Sequence, residues 1–224
     1  MHRALMVMAK EPLTGRTKTR LSPPLSGQQA ADLYRCFLLD TLELMKGVEG
    51  VQPIIAYLPP EARPFFRCFA PPGFDFIPQV GADLGERLDN VLTHCLQRGY
   101  HQAVVMNSDS PTLPVTYLRQ AFKELDDPRV DVVLGPCNDG GYYLIGLKSP
   151  CPALFQGIVM STPTVVTETL ERAREQRLQV ACLPRWHDVD TSEDLERLIE
   201  ELRSQPDHLA HHTRAFLSNA MGQL

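Results

Sequence analysis

A basic segment near the amino terminus carries the side chains that are best suited to phosphate binding. Its cationic residues and its single glycine are Lys10, Arg16, Lys18, Arg20 and Gly15. Arginine presents a planar pair of donors and lysine a point charge, so together they suit a diphosphate. The segment is not a Walker A loop, because Pro12 and Thr17 occupy positions where that motif needs glycine. An ordinary solvated loop is the alternative interpretation.

Carboxylates stand in three further segments where predicted strands end. Asp109 lies in the loop Asn107–Pro114 after an apolar run, a position suited to a hard divalent cation, with helix capping as the alternative. Asp188 and Asp190 stand on either side of Val189, and we expect them to point to opposite sides, so that only one of them can face a given site. Asp139 precedes two glycines and is a further candidate, although aspartate before glycine is also common in turns.

The segment 79–87 leads into a predicted helix and offers a second kind of ligand contact. The amide of Gln79 can both donate to and accept from the edge of a base. Gly81 and Gly85 would let backbone amide groups approach a ligand closely. Because helix starts often contain glycine, this segment alone is a weak indication of a binding site.

Composition and charge exclude several classes of protein. With 224 residues, of which 43% are hydrophobic and 22% charged, the sequence predicts a single globular domain over residues 1–224. The net charge of −5, with scattered cations, argues against nucleic acid as a partner. No apolar run has the length of a membrane helix or a signal peptide, so we expect a cytoplasmic protein without a membrane span.

The cysteines and the carboxyl-terminal histidines show no spacing typical of a metal site. The six cysteines are far apart and predict reduced, mostly buried thiols. Residues 208–224 predict a weak helical extension, whose His208, His211 and His212 are expected to face solvent. A metal site in a fraying terminus would lack the supporting contacts that orient metal ligands.

Apolar patterning predicts strands that alternate with helices. Strands are expected at residues 5–9, 51–57, 74–78, 103–106, 132–134, 142–147 and 179–183. Helices are expected at residues 26–45, 84–96, 114–125, 163–173 and 191–203. Capping boxes are predicted from Ser26 with Gln29 and from Thr191 with Asp194.

Loops and prolines complete this assignment. Residues 59–72 are expected to form a loop with a brief helix at most, and residues 135–141 a glycine-rich loop. Pro114 and Pro163 are placed in the first turns of their helices. The alternation predicts a layered α/β domain with a mostly parallel sheet. Ligands of such sheets bind beyond the carboxyl ends of the strands, where the candidate segments described above would meet.

Five motifs in this order resemble those of the nucleotide-diphospho-sugar transferases of the GT-A fold, and most of all a group of bacterial glycosyltransferases long catalogued as a domain of unknown function. The stretches are Ala9–Leu21 (A-K-x-P-x-x-G-x-x-K-T-R-L), Leu84–Arg87 (L-G-x-R), Ser108–Leu113 (S-D-x-P-x-L), Asp139–Leu147 (D-G-G-Y-Y-L-I-G-L) and Asp188–Leu195 (D-V-D-T-x-x-D-L). Two residues depart from the family pattern. Asn107 stands where the family commonly has glycine, and Met160 stands where it frequently has tryptophan.

The resemblance implies a three-layer α/β/α domain with a nucleoside di- or triphosphate lying over the first strand. Lys18 and Arg20 would then contact the phosphates. Gln79 and Arg87 would lie near the base or the ribose. The other implied nucleotide contacts are Ala9, Lys10, Gly15 and Gly85. Asp109 and Asp190 would hold Mg²⁺ or Mn²⁺.

The resemblance also implies a transferase activity. We expect metal-dependent transfer of a sugar from a nucleoside-diphosphate sugar to a small-molecule acceptor, with Lys18 and Asp109 in catalytic roles. Asp139 is the candidate base if the anomeric centre is inverted. The scaffold is also similar to those of 2-phospho-L-lactate guanylyltransferase and the molybdenum-cofactor guanylyltransferases, so nucleotidyl transfer from GTP or CTP with release of pyrophosphate is the alternative. A non-catalytic nucleotide-binding protein is a third hypothesis, and a homodimer is an open question.

Overall fold

A computed structural model of the chain describes residues 2–221. Its strands are β1 (Arg3–Lys10), β2 (Gln52–Leu58), β3 (Asp75–Pro78), β4 (Gln102–Met106), β5 (Val132–Pro136), β6 (Tyr142–Leu147) and β7 (Val180–Cys182). Its helices are α1 (Gly27–Lys46), α2 (Arg63–Phe69), α3 (Leu84–Gln97), α4 (Val115–Asp126), α5 (Val165–Glu175), α6 (Ser192–Ser204) and α7 (His211–Met221). Within residues 2–221, none of these helices has both the length and the hydropathy needed to span a membrane. The predicted extension to residue 224 ends outside the described residues.

The seven strands form one sheet in the order β3-β2-β1-β4-β6-β5-β7. β1 pairs in parallel with β2 on one side and β4 on the other, so that Val7 lies opposite both Ile55 and Met106. β6 runs antiparallel to its two neighbours, and the remaining pairs are parallel. Because the strand order reverses between β1 and β4, a crevice opens beyond their carboxyl ends, which is where ligands bind in sheets of this kind.

Apolar side chains cover both faces of the sheet. Successive residues of a strand point to opposite faces, so Leu5 and Val7 of β1 enter one hydrophobic cluster and Met6 enters another. The first cluster includes apolar residues of α1, α2, α4, α6 and α7, and the second includes those of α3 and α5. The predicted three-layer arrangement is therefore confirmed.

Two helices start at the capping boxes that the sequence predicts. The Ser26 hydroxyl accepts a hydrogen bond from the backbone N–H of Gln29, whose side chain accepts one from the N–H of Ser26. Thr191 and Asp194 make the same pair of bonds at the start of α6. These bonds satisfy backbone donors that have no partner within the helix, and so they define where each helix begins.

The structure corrects the prediction that residues 135–141 are all loop. Gly135 and Pro136 extend β5, and Gly135 pairs with Leu144 of β6. A Cβ atom on Gly135 would lie 2.4 Å from the ring of Tyr143, so this glycine allows an aromatic ring to pack against the strand. The proline stands at the last position of the strand, beside a bulge, where a missing N–H is tolerated.

Both prolines predicted in first turns lie slightly earlier. Pro114 is the N-cap of α4, and Pro163 precedes Thr164, the N-cap of α5. The difference has a local cause, because proline holds φ near −65° and suits the position just outside a helix as well as the first one inside.

The carboxyl-terminal helix is packed rather than weak and fraying, which corrects the sequence-based expectation. Thr213 and Leu217 of α7 are fully buried at 0% exposure. The Asp40 carboxylate of α1 accepts hydrogen bonds from the N–H of His212, and from both the N–H and the hydroxyl of Thr213. Burial raises the pKa of Asp40, and the hydrogen bonds from Thr213 and His212 partly offset that rise.

All six cysteines are free thiols, but they are less buried than expected. Only Cys95 and Cys137 are buried, while Cys68 and Cys182 are exposed. The prediction of mostly buried thiols is therefore wrong for this chain.

Candidate functional site

A cavity of about 420 Å³ opens beyond the carboxyl ends of β1 and β4. The charged residues that line it are Lys10, Arg16, Lys18, Arg20, Arg87, Asp109 and Asp190. Its polar lining includes Thr17, Tyr34, Gln79, Asn107, Ser108, Tyr142 and Ser161. The strand order thus brings together segments that are far apart in the sequence, as the positions of the predicted strand ends indicate.

Lys18 lies between two carboxylates of this cavity. Its Nζ is 2.7 Å from Asp109 Oδ1 and 2.6 Å from Asp190 Oδ1, and its side chain is only 6% exposed. Burial alone would lower the pKa of Lys18, but the charges and hydrogen bonds of the two carboxylates outweigh burial and raise the pKa above its usual range. The lysine backbone is left-handed, with φ of 50°, which costs of order 1–2 kcal/mol for a residue with a side chain.

The loop after β4 and the loop before α6 are held against each other. The Ser110 hydroxyl donates a hydrogen bond to the carbonyl of His187 at 2.9 Å. The ring Nε2 of His187 is in turn 2.9 Å from Glu201 Oε2 of α6. Glu201 Oε2 also accepts a bond from the hydroxyl of Thr112 at 3.2 Å. Both loops are therefore anchored to α6, which fixes the positions of the carboxylates that they carry.

Asp188 and Asp190 contact different groups, as expected, but their spacing is not the cause, because residues two apart in a regular strand share one face. The segment 187–190 lies between β7 and α6 and outside the regular strands. Asp190 faces Lys18, whereas Asp188 groups with Asp139 and Cys137, whose potential ligand atoms all lie within 4.8 Å of one another. Burial, followed by the charges of Asp190, Asp139 and Asp109, raises the pKa of Asp188 to about 6. The Oδ1 of Asp139 accepts a hydrogen bond from the N–H of Gly141, and Asp139 lies beside the cavity rather than in its lining.

The two arginines implied by the resemblance both line the cavity, and they differ in how they are held. Arg20 is 72% exposed, and its Nη1 is 4.0 Å from Asp190 Oδ2. Arg87 has a buried Nε that lacks a hydrogen-bond partner among residues 2–221. A buried donor without a partner is unusual in a folded protein.

The amide of Gln79 is more constrained than the sequence suggests. Its Nε2 donates hydrogen bonds to the carbonyls of Ala9, at 3.2 Å, and Ala56, at 2.7 Å. Both amide hydrogens therefore bind the main chain of β1 and β2, and only the amide oxygen is left to face a ligand. Ala9 contributes through this bond and is not part of the cavity lining.

Two glycines of the predicted site also lie outside the lining. Gly15 has a φ of 71° in a turn where a Cβ would meet nothing within 4 Å. Gly85 packs against the opposite loop, since a Cβ there would lie 3.1 Å from Met160 Cε and 3.2 Å from the carbonyl of Phe155. In this structure both glycines shape the backbone around the cavity, and their predicted contacts with a nucleotide stay predictions.

Tyr34 and Ser108 form part of the site that sequence reasoning missed. The Tyr34 hydroxyl accepts a hydrogen bond from the N–H of Lys10 at 3.1 Å and lies 2.8 Å from Ser108 Oγ. The Ser108 hydroxyl also bonds to the carbonyl of Met8 at 3.0 Å. Burial raises the pKa of Tyr34 to about 12, and the nearby charge of Asp109 contributes. The helical spacing of Tyr34 predicts a core residue. The one signal of a further role in the sequence is its hydroxyl group, which needs a hydrogen-bond partner when it is buried.

Asp109 and Asp190 fit the donor set of a divalent cation. Their side chains are 30% and 39% exposed in the cavity, and each uses its Oδ1 atom for Lys18. The Oδ2 atoms have no closer ion pair than the 4.0 Å approach of Arg20 to Asp190 among the described residues. Mg²⁺ usually takes one or two carboxylates together with substrate phosphates, and these two oxygens match that requirement.

The family of the chain follows from a comparison with family models. Residues 41–162 match the model described as an uncharacterized protein conserved in bacteria (DUF2064). The chain belongs to this family. The matched stretch contains Asp109 and Asp139, whereas Lys18 and Asp190 lie outside it. A search of curated proteins finds no match.

Solved structures extend the likeness to almost the whole chain. A protein of Desulfovibrio desulfuricans G20, provisionally assigned as a nucleotide-diphospho-sugar transferase, is 34% identical, with a TM-score of 0.89, 97% of this chain covered and 95% of that one. A CMP:2-keto-3-deoxy-manno-octonic acid synthetase complexed with CTP is 13% identical, with a TM-score of 0.58 over 91% of this chain and 99% of that one. A cytidylyltransferase of Leptospira borgpetersenii is 12% identical, with a TM-score of 0.54 over 98% and 95%. The last two share the fold alone, and the predicted fold class is confirmed.

Proposed function

We propose that this protein is a transferase that binds a nucleoside-diphosphate sugar over β1 and moves the sugar to a small-molecule acceptor with the help of Mg²⁺ or Mn²⁺. The observation that carries the proposal is the contact of Lys18 with both Asp109 and Asp190 inside a cavity lined by further cations. The 34% identity with the Desulfovibrio protein supports a sugar nucleotide as the donor.

Lys18 is suited to stabilise the leaving diphosphate because its position is fixed. A flexible lysine must be ordered during the reaction, whereas the Lys18 ammonium is already held by two carboxylates in a mostly buried place. A charge that is in place before the reaction costs no reorganisation when negative charge develops on the leaving group. Arg16 and Arg20 add planar donors on the same loop, which suit phosphate oxygens.

Asp109 and Asp190 would hold the divalent cation through the oxygens that Lys18 does not use. The cation would supply positive charge against the negative charge that develops on the diphosphate.

The carboxylates beside the cavity are the candidates for activating the acceptor. An inverting transfer needs a base that takes the proton of the acceptor hydroxyl. Asp139 is our candidate, since it is exposed whereas its neighbour Asp188 is half-buried. An acceptor would then approach from the side of the 139–141 turn.

Nucleotidyl transfer from GTP or CTP is the second candidate, and one observation favours it. The cavity lining holds five cations and two carboxylates, which leaves a clear excess of positive charge before any metal binds. A triphosphate carries more negative charge than the diphosphate of a sugar nucleotide, and it would balance that excess better. The same residues serve this reaction, because phosphoryl transfer depends on positioning and charge neutralisation.

The identity of the released product separates the two reactions. We would incubate the protein with each common nucleoside-diphosphate sugar and nucleoside triphosphate, with and without Mn²⁺, and measure nucleoside diphosphate and pyrophosphate. Metal-dependent release of a nucleoside diphosphate supports sugar transfer, and metal-dependent release of pyrophosphate supports the second candidate. Since turnover needs an acceptor that is not identified, binding is measured in parallel by thermal shift, where a ligand at about 100 times its Kd adds roughly 2.7 kcal/mol.

A matched pair of variants ties the activity to the site. Asp109→Asn should abolish the metal-dependent part of donor binding and turnover, while Asp207→Asn, an exposed carboxylate of the segment between α6 and α7, should change neither. Equal activity of the two variants, or wild-type protein that binds no nucleotide, would overturn the proposal.

A further inference from the structure

We propose that Asp40, Glu43, His211 and His212 form a transition-metal site, suited to Zn²⁺, that joins α1 to α7. Each of the four residues offers one potential ligand atom, and these atoms all lie within 4.8 Å of one another. None of the four lines the cavity at the carboxyl ends of the strands. The site is therefore separate from the proposed catalytic centre, and the inference does not depend on the proposed function.

The two histidines converge on a single carboxylate. Glu43 Oε2 is 3.2 Å from His211 Nδ1, and Glu43 Oε1 is 3.4 Å from His212 Nε2. The two rings are adjacent in the sequence and their centroids are only 3.9 Å apart. Neighbouring histidines of a helix ordinarily diverge around its axis, so this convergence places two imidazole nitrogens beside the same pair of oxygens.

The ligand set has the chemistry of a zinc site. Imidazole nitrogens and carboxylate oxygens are among the ligands that Zn²⁺ takes in four-coordinate sites, at about 2.0–2.2 Å. Ligand atoms of such a site lie roughly 3.3 Å from one another, so the present group needs only small movements to close. His211 and Glu43 are 47% and 50% exposed, which leaves their side chains free to make those movements.

Asp40 is the fixed member of the group. It is only 5% exposed, and it accepts three hydrogen bonds, from the N–H of His212 and from the N–H and hydroxyl of Thr213. A carboxylate has about four lone-pair positions, so one of them stays available to a cation. The same hydrogen bonds anchor the start of α7, and they supply the support whose absence made a metal site at this terminus implausible from sequence alone.

Ordinary surface ion pairs are the alternative explanation of these contacts. Exposed pairs of this kind contribute about 0–1 kcal/mol and require no convergence of two imidazoles. A metal ion would instead bind only the folded arrangement of α1 and α7, so it would raise the stability of the protein in proportion to its concentration relative to the Kd.

Zinc binding in the presence of excess Mg²⁺ tests the site. Mg²⁺ prefers oxygen ligands and would compete for carboxylate sites such as the proposed pair Asp109 and Asp190, whereas histidine sites keep their preference for Zn²⁺. We expect calorimetry to find one Zn²⁺ per chain and thermal denaturation to show a Zn²⁺-dependent rise in Tm. Co²⁺ in the same site should give the visible absorption of a low-coordinate complex with nitrogen ligands.

Four variants make the result specific. His211→Gln and His212→Gln should each weaken Zn²⁺ binding by at least about tenfold and remove the rise in Tm, since they delete a direct ligand. His208→Gln, a neighbouring exposed histidine outside the group, should bind as the wild type does. Asp109→Asn should also keep Zn²⁺ binding, which distinguishes this site from the cavity.

The side chain of His211 is 47% exposed and that of His212 is 31% exposed, so both variants should fold. Far-ultraviolet circular dichroism would confirm that each variant keeps its helices. A wild-type protein that takes up no Zn²⁺ beside excess Mg²⁺, or histidine variants that bind Zn²⁺ as tightly as the wild type, would overturn the inference.

Discussion

The backbone N–H of Val189 donates a hydrogen bond to the carbonyl of Asp109 at 2.9 Å. This bond joins the loop after β4 to the segment before α6, at the residue between Asp188 and Asp190. Because Val189 is fully buried at 0% exposure, its neighbours must point away from the core. The carboxylate of Asp190 is thereby brought beside Asp109, and the pair is completed by Lys18.

Removing Lys18 should reveal the affinity of its two partners for a cation. Lys18→Met leaves Asp109 and Asp190 without their shared ammonium, so the carboxylates repel each other and the free energy of unfolding should fall. Since both carboxylates are about a third exposed, solvent limits that loss to about 1 kcal/mol. Mg²⁺ or Mn²⁺ should restore the loss, and it should stabilise this variant more than the wild type in urea denaturation.

Lys10→Met is the matched control for Lys18→Met. It removes the same charge from the same cavity, but Lys10 has no carboxylate partner in an ion pair among residues 2–221. Its stability should therefore respond to divalent cations as the wild type does. A Lys18→Met variant that gains no more from Mg²⁺ than Lys10→Met would contradict the assignment of Asp109 and Asp190 as the metal ligands.

Tyr34→Phe should weaken both the fold and the binding of the donor. The change leaves the N–H of Lys10 without its acceptor and takes a partner from Ser108, at a cost of about 1–3 kcal/mol in the free energy of unfolding. Lys10 and Ser108 line the cavity, so the apparent Kd for nucleotide should rise as well. Tyr117→Phe, whose hydroxyl has no hydrogen-bond partner within residues 2–221, should show neither effect in urea denaturation and nucleotide titration.

Gly140 should tolerate no side chain, in contrast to another glycine of similar conformation. It has a φ of 93°, and a Cβ there would lie 2.0 Å from the carbonyl oxygen of Pro163. Gly50 has a φ of 72° with nothing within 4 Å of a Cβ. We expect Gly50→Ala to cost about 1 kcal/mol through backbone strain alone and Gly140→Ala more than about 3 kcal/mol, measured by urea denaturation. Equal losses would show that the Pro163 segment moves aside freely.

The thiols should react with an alkylating agent in an order set by exposure and pKa. Burial, followed by the charges of Asp40 and Asp32, raises the pKa of Cys36 to about 11. Its thiolate fraction at pH 8 is then about one in a thousand, and its rate of reaction with iodoacetamide should rise about tenfold for each pH unit up to pH 10.

Exposed Cys68 provides the internal standard for that measurement, because it should react first in the native protein. Peptide mapping by mass spectrometry after timed quenching would follow each cysteine separately. Cys95, which is buried and whose pKa burial also raises to about 11, should be labelled only after unfolding. Labelling of Cys36 at the rate of Cys68 at pH 8 would contradict the prediction.

Local sequence patterns determine most of the elements of this fold. Hydrophobic periodicity and two capping boxes predict the strands and helices within a few residues, because these signals depend on near neighbours alone. The sequence-based assignment is wrong where a residue distant in the sequence determines the local structure. Gly135 lies in a strand because the ring of Tyr143 packs on it, and α7 is stable because Asp40 binds its start.

The candidate site likewise combines features that the sequence predicts with contacts that depend on the fold. The basic residues, the pair Asp188 and Asp190, and the position of Asp109 after a strand are all visible in the sequence, since each depends on residue type and local spacing. The sequence could not specify that Lys18 binds a carboxylate 172 residues away. It also could not specify that both amide hydrogens of Gln79 bind carbonyl groups of two strands. Those contacts depend on the order β2-β1-β4 and on the packing of loops across it. Strand order is a property of the whole chain, because it is settled by the burial of every apolar face at once, and only the tertiary structure contains it.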